Sequence, residues 1–159
     1  MTGGDEIDTR RAGEPPETSL AGDLVVVCGL PGVGKSTVAE RVADRIDGER
    51  LRSDAVRKAL FEEPSYTDAE TATVYATLLD RARERVASGT SVVLDATFAD
   101  ARFRADARVM GESFAGAFTL VEVVCKESVV KRRIERRDGI SDADFEVHLQ
   151  FKQAFDDIE

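Results

Sequence analysis

Gly29-Leu30-Pro31-Gly32-Val33-Gly34-Lys35-Ser36 sets three glycines, one cation and one hydroxyl in the order G-x-x-x-x-G-K-[ST], and Thr37 adds a second hydroxyl. Such a loop can turn its backbone N–H groups inward and close around an anion. Glycines allow the backbone angles this needs and leave room for phosphate oxygens. Lys35 would then bridge the β- and γ-phosphates of ATP, and Ser36 would place its hydroxyl on Mg2+. A glycine-rich turn with a solvated lysine is the plain alternative. The flanks argue against it, because the apolar run LVVVC precedes the loop and STVAERVADRI follows it, the strand and helix that the motif requires.

Other charged residues could act on the same phosphates. In LRSDAVR, Asp54 falls at a helix start and Arg57 one turn later on the same side. A carboxylate there can orient or deprotonate a substrate hydroxyl, and the cation can hold substrate or phosphate charge. The same pair is also an ordinary helix cap beside a surface arginine. VVLD is an apolar strand ending in Asp95, placed to hold Mg2+ through water or to orient Ser36, with Thr97 close behind. Alternatively, Asp95 caps the next loop. Arg132, Arg133, Arg136 and Arg137 share a helix after the fourth strand. Arginines on a mobile helix can close over ATP and neutralise the transferring group, or simply form a solvated basic face. Asp138-Gly139 beside them suits a hinge.

Alternating strands and helices must position these groups. Apolar periodicity predicts a strand at 24–29, a helix at 36–46 with Val38, Val42 and Ile46 on one face, and a strand within 48–54. A short helix should follow with Val56, Ala59 and Leu60 inward, then a long amphipathic helix over 67–88 stopped by Gly89. TSVVLDAT is a buried strand, 99–113 an Arg-rich helix, FTLVEVVC a fourth strand and 127–137 a further helix. Ser141 and Asp144 suggest the cap of a last helix. This alternation implies α/β layering on a parallel sheet, whose ligands gather at the carboxyl ends of the strands. Residues 1–21, rich in Gly, Pro, Thr and Glu, are expected to be a disordered tail ahead of a domain over 22–159.

The totals narrow the function. With 159 residues the chain fits one domain, and 42% apolar residues suffice for a core without a membrane span. A net charge of −9 argues against a broad basic nucleic-acid face, although a local groove is compatible with it. Arginines outnumber lysines 17 to five among the cations, against 31 acidic residues, a pattern shared by proteins of high-salt environments and by compositional bias. Cys28 and Cys125 lack any metal-ligand spacing and suit reduced, buried thiols in a cytoplasmic protein. His148 and Tyr75 read as structural, while Tyr66 lies on a loop from which it could touch substrate.

GLPGVGKST, RLRSDAVRKALF, VVLDATF and VVKRRIERRDGISDAD occur in the order found in small P-loop kinase-like ATPases of the AAA-type domain 33 family. That group is similar to the kinase domain of polynucleotide kinase, to zeta-toxin kinases and to chloramphenicol phosphotransferase, and the resemblance covers about residues 23–155. It implies a three-layer P-loop NTPase fold with a parallel sheet of order 2-3-1-4-5 and an Arg-bearing lid. It further implies that Asp54 activates the acceptor, that Arg57 binds it, and that Arg133 with Arg136 or Arg137 supplies the lid charge. The chain departs from polynucleotide kinase in having Phe98 after Thr97 where that enzyme has Asn, which weakens a nucleic-acid reading. It also stops at Glu159, so either the sheet closes with four strands or the domain is cut short. The expectation is an ATP- and Mg2+-dependent kinase for a small hydroxyl-bearing molecule, with no membrane partner. A 5′-hydroxyl polynucleotide kinase, its channel lined in part by Arg102, Arg104 and Arg108, and a nucleotide-binding switch are the rivals.

Overall fold

A computed structural model of the chain describes residues 20–30, 32–126, 128–130, 132, 149 and 152–158. The expected tail falls almost wholly outside them, as do His148, Asp138-Gly139, Ser141, Asp144 and the lid residues Arg133, Arg136 and Arg137. Four parallel strands form one sheet in the order β2-β3-β1-β4: β1 (Leu24–Cys28), β2 (Glu49–Arg52), β3 (Val92–Asp95) and β4 (Phe118–Glu122). This is a three-layer α/β P-loop NTPase fold. No fifth strand is present among the described residues.

The two central strands carry the apolar runs and are buried along their whole length. Side-chain alternation divides the core into two layers. Leu24, Val26, Val92 and Leu94 face α3 (Asp68–Ala87) and α4 (Ala101–Phe114) through Val74, Leu78, Ala82 and Ala107. Val25, Val27 and Val93 face α1 (Lys35–Ile46). On α1 the buried residues are Ala39 and Ala43, while the predicted Val38, Val42 and Ile46 pack around them, partly exposed. Small alanines let the helix backbone approach the sheet, so the larger side chains wedge in at its flanks.

The short helix α2 (Ser53–Leu60) differs from expectation. Val56 is inward as predicted, but Leu60 is 40% exposed, Ala59 is exposed, and Arg57 is buried in their place. Burial there is decided by an ion pair with α3, described below, and not by apolar periodicity. Cys28 is buried and its thiol is pushed up to about 11 by burial, whereas Cys125 is only half-buried.

Arg104 was a candidate for a nucleic-acid channel, and the structure gives it a different task. It is 8% exposed and donates to the carbonyls of Phe98 (2.6 Å), Asp156 (2.8 Å) and Asp157 (3.0 Å). The segment 155–158 is thereby fastened across the start of α4, where Asp156 accepts from the Ala101 N–H at 2.9 Å. Arg102 pairs with Asp100, and Arg108 with Glu112 and the Phe118 ring. All three arginines of the proposed channel thus have partners within the chain.

Gly22 packs where no side chain fits, since a Cβ would lie 2.0 Å from the Thr90 carbonyl oxygen. Its N–H donates to Val86 and its carbonyl accepts from Gly116, so the backbone cannot retreat cheaply. Gly22→Ala is expected to cost about 1–3 kcal/mol through overpacking, read as a lower urea midpoint at unchanged m-value.

Candidate functional site

The loop between β1 and α1 takes the backbone path that its glycines permit. Gly34 caps α1 with φ 94°, and no side chain caps the helix, which leaves its first amides without a side-chain acceptor at the end of the loop. At Gly29 a Cβ would stand 2.6 Å from the Val123 carbonyl oxygen, so glycine is required for close approach as well. Val33 anchors the loop from below, in a small cluster with Val130, Leu30, Val123 and Cys125. Pro31 lies outside the described residues, and Thr37 is exposed on the first turn of α1.

Asp95 is the electrostatic centre. It ends β3 beside Val27 of β1 and Arg52 of β2, and is 5% exposed. Ser36 Oγ donates to its Oδ2 at 3.1 Å, and Lys35 Nζ stands 3.9 Å from Oδ1. Two residues that sequence reasoning missed complete the cluster. Arg50 Nη1 lies 3.4 Å from Oδ2 and Arg52 Nε 4.0 Å from the same oxygen. Arg50 also reaches the Ser36 carbonyl and Glu40. The period of two in Arg50-Leu51-Arg52 puts both arginines on one face, but only the strand register shows that this face is Asp95's.

A hydroxyl and a carboxylate oxygen 3.1 Å apart, next to open helix amides, are a donor set that Mg2+ accepts. The ion prefers hard oxygens, keeps several waters and takes few protein ligands, so Ser36 and Asp95 fit it. Phosphates would fill the loop above them.

Asp54 is exposed in the first turn of α2, two residues beyond Arg52 at the carboxyl end of β2. Arg57, a turn further on, is tightly held. Its guanidinium pairs with Glu70, donates to Thr71 Oγ1 at 3.2 Å and lies 4.5 Å from the Tyr66 ring centroid. Glu70, 7% exposed, is a third missed residue. Thr67-x-x-Glu70 has the spacing of a capping box, and Thr67 does cap α3. The carboxylate, however, accepts from the N–H groups of Ser65 and Tyr66 and from Arg57. Burial alone would raise Glu70; these hydrogen bonds outweigh it and bring its pKa down to about 2. They also hold Tyr66, 66% exposed, at a φ of 58°.

Behind this surface Tyr75 is buried, with its hydroxyl accepting from the Phe98 N–H at 2.9 Å. Burial pushes the phenol up to about 12. Phe98, the residue where the chain departs from polynucleotide kinase, is wholly buried at φ 51°. It therefore fills the core and presents no group to a ligand.

A glycine-lined anion loop on a parallel sheet, with Lys35 and Ser36 gathered onto the aspartate that ends the adjacent strand, defines a P-loop kinase-like domain. Comparison with known proteins agrees. Residues 24–158 match AAA_33, an AAA domain, and the chain belongs to that family. Uncharacterized proteins of Mycobacterium tuberculosis and Mycobacterium bovis are 35% identical over 139 residues, covering 78% of this chain. The chain spans only 28% of the length of these curated relatives. Among solved structures, a gluconokinase from Sinorhizobium meliloti superposes with TM-score 0.67 at 22% identity, over 87% of this chain and 77% of that one. The APS kinase CysC of Mycobacterium tuberculosis, in complex with AMPPNP and APS, gives 0.64 at 25% identity, over 77% and 78%. A chain of the Pnkp1/Rnl/Hen1 RNA repair complex gives 0.65 at 20% identity, over 86% of this chain and 47% of its own length. No helix among the described residues is long and apolar enough to cross a membrane.

Proposed function

We propose that this chain is an ATP- and Mg2+-dependent kinase that transfers the γ-phosphoryl group to a hydroxyl of a small molecule. The observation that carries the proposal is the convergence of Lys35 and Ser36 on Asp95, with Asp54 on the helix that leaves the neighbouring strand. The backbone N–H groups of Gly29, Leu30, Gly32, Val33 and Gly34, with Pro31 in the loop but lacking a donor of its own, together with Lys35, Ser36 and Thr37, would hold the nucleotide phosphates. Ser36 and Asp95 would hold Mg2+, which neutralises charge on the β- and γ-phosphates when bound.

Asp54 accepts the proton of the acceptor hydroxyl as its oxygen bonds to the γ-phosphorus. The bond from that phosphorus to the β–γ bridging oxygen breaks, and ADP leaves. Arg57, immobilised by Glu70, presents fixed donors one turn from Asp54. Arg133 and Arg136 or Arg137 supply lid charge, and lid closure excludes water so that the alcohol is the attacking group. Most of the rate gain then comes from positioning and charge stabilisation.

The test is a γ-phosphate transfer screen over small hydroxyl metabolites and 5′-hydroxyl oligonucleotides, in low and in molar salt. Transfer to a small hydroxyl is expected. Preferential labelling of oligonucleotides, or ATP hydrolysis indifferent to every acceptor, would overturn the reading. Lys35→Met is expected to weaken Mg-ATP binding by about tenfold or more, measured by calorimetry, because a charge-assisted contact to phosphate is lost.

A further inference from the structure

The cations near Asp95 exceed what that carboxylate can satisfy. Lys35, Arg50 and Arg52 all lie within 4.0 Å of it, and Ser36 already uses one of its oxygens. Glu40 shares part of Arg50 from 3.8 Å, but it is a solvent-facing partner with a side chain 64% exposed. Once Mg2+ occupies Ser36 and Asp95, the two arginines share their carboxylate with a divalent cation. Lys35, the loop amides and the metal serve the nucleotide. Arg50 keeps Glu40 and the Ser36 carbonyl, and Arg52, with its side chain 45% exposed, is left able to take another anion.

Their positions differ. Arg50 lies inward against α1, bonded to the Ser36 carbonyl. Arg52 has a side chain 45% exposed at the strand's end, and Asp95 is its one polar partner among the described residues. It precedes Asp54 by two residues, so their Cα atoms are at most about 7 Å apart. Arg57, three residues beyond Asp54, is already neutralised by Glu70 and has a side chain only 9% exposed. Drawing it onto a charged acceptor would strand a buried carboxylate, which is costly.

We propose that Arg52, backed by Arg50, is the oxyanion-binding position of the acceptor site, and that the acceptor is a hydroxyl-bearing anion carrying a carboxylate, phosphate or sulfate. This names the substrate class of the kinase site above and rests on that reading. The anion sits on Arg52 while the hydroxyl reaches Asp54, which orients the molecule before transfer. A competing source for the same chemistry is the γ-phosphate of the nucleotide itself, and the test separates the two.

Inorganic sulfate is titrated by calorimetry into wild type and Arg52→Gln, each saturated with Mg-AMPPNP so that the γ-position is filled. Wild type is expected to bind sulfate. Arg52→Gln should weaken that binding by about tenfold or more, and by clearly more than it weakens AMPPNP, and Arg52→Lys should restore part of it. The proposal is overturned if sulfate binds only the apo or ADP-loaded protein, if Arg52→Gln leaves sulfate binding unchanged, or if the substitution weakens AMPPNP as much as sulfate. No turnover is needed, so the two readings fail separately. Sulfate binding at Arg52 without transfer to any acceptor would refute the kinase alone. Transfer to neutral polyols by a protein that binds no sulfate would refute the anion site alone.

Discussion

Asp54→Asn is expected to lower phosphoryl transfer by about 10^2–10^4-fold in kcat while Mg-ATP affinity stays within about twofold of wild type. The size of the loss follows from the role: a group that takes a proton in the transition state acts there and not in nucleotide binding. The separation follows from position. Asp54 starts the helix after β2, whereas the phosphate loop joins β1 to α1, so the two sites share no residue. Asn keeps the shape and a helix-start preference and loses only the charge. Its cost to folding is the carboxylate's interaction with the α2 N-terminus, about 0.3–1 kcal/mol for an exposed site. A nucleotide-operated switch without an acceptor requires the opposite result, with ATP turnover unchanged by the substitution. Single-turnover transfer and calorimetric ATP binding on the same preparation distinguish the two.

What the sequence made legible depends on how local the cause is. The buried strands were plain because β1 and β3 are covered on both faces and must be apolar throughout. The loop at 29–36 was plain because its chemistry is contiguous in the chain. The fourth strand was expected to run through Cys125 but ends at Glu122. Among the described residues it is an edge strand of the sheet, with half-exposed residues, and pairing on one side sustains it only that far. Asp95 could be recognised as a strand-ending acid. Its arginines could not, because the pairing of Arg52 with Asp95 joins segments that are neighbours only in the folded sheet. Arg104 misled for the same reason. A basic residue on an Arg-rich helix suggests a solvated face, and only the return of residues 155–158 over that helix makes it a buried donor. Thr97-Phe98 shows the converse: the departure from Asn was visible in the sequence, but the left-handed backbone and the bond to Tyr75 that use Phe98 were not.

Glu70→Ala should produce the largest loss of stability among the site residues, a fall in Tm on the order of 10 °C. The cause is what remains, since Arg57 would be left buried without its carboxylate, and the N–H groups of Ser65 and Tyr66 would lose their acceptor. Replacing the pair together, Arg57→Met with Glu70→Leu, should recover a substantial part of the loss, because an apolar pair of similar volume has no stranded charge. If the double variant is as unstable as the sum of the singles, the pair acts independently and this account fails. The pH dependence gives a second measure. Glu70 is held below its ordinary 4.5, at about 2, so the folded state binds this proton less readily than the unfolded chain. Its contribution is therefore complete above about pH 4.5 and is lost as pH falls toward 2. Urea unfolding of wild type across that window should show stability declining with acid, and Glu70→Gln should flatten the decline. Gln retains the acceptor oxygen for the turn but cannot exchange a proton, so a slope that persists unchanged in this variant would assign the acid sensitivity to other carboxylates. Because the same carboxylate fixes both the guanidinium of Arg57 and the turn bearing Tyr66, its loss should also loosen the acceptor side of the cleft. Nucleotide affinity, which depends on the opposite side of the sheet at α1, should hold at temperatures where the variant remains folded.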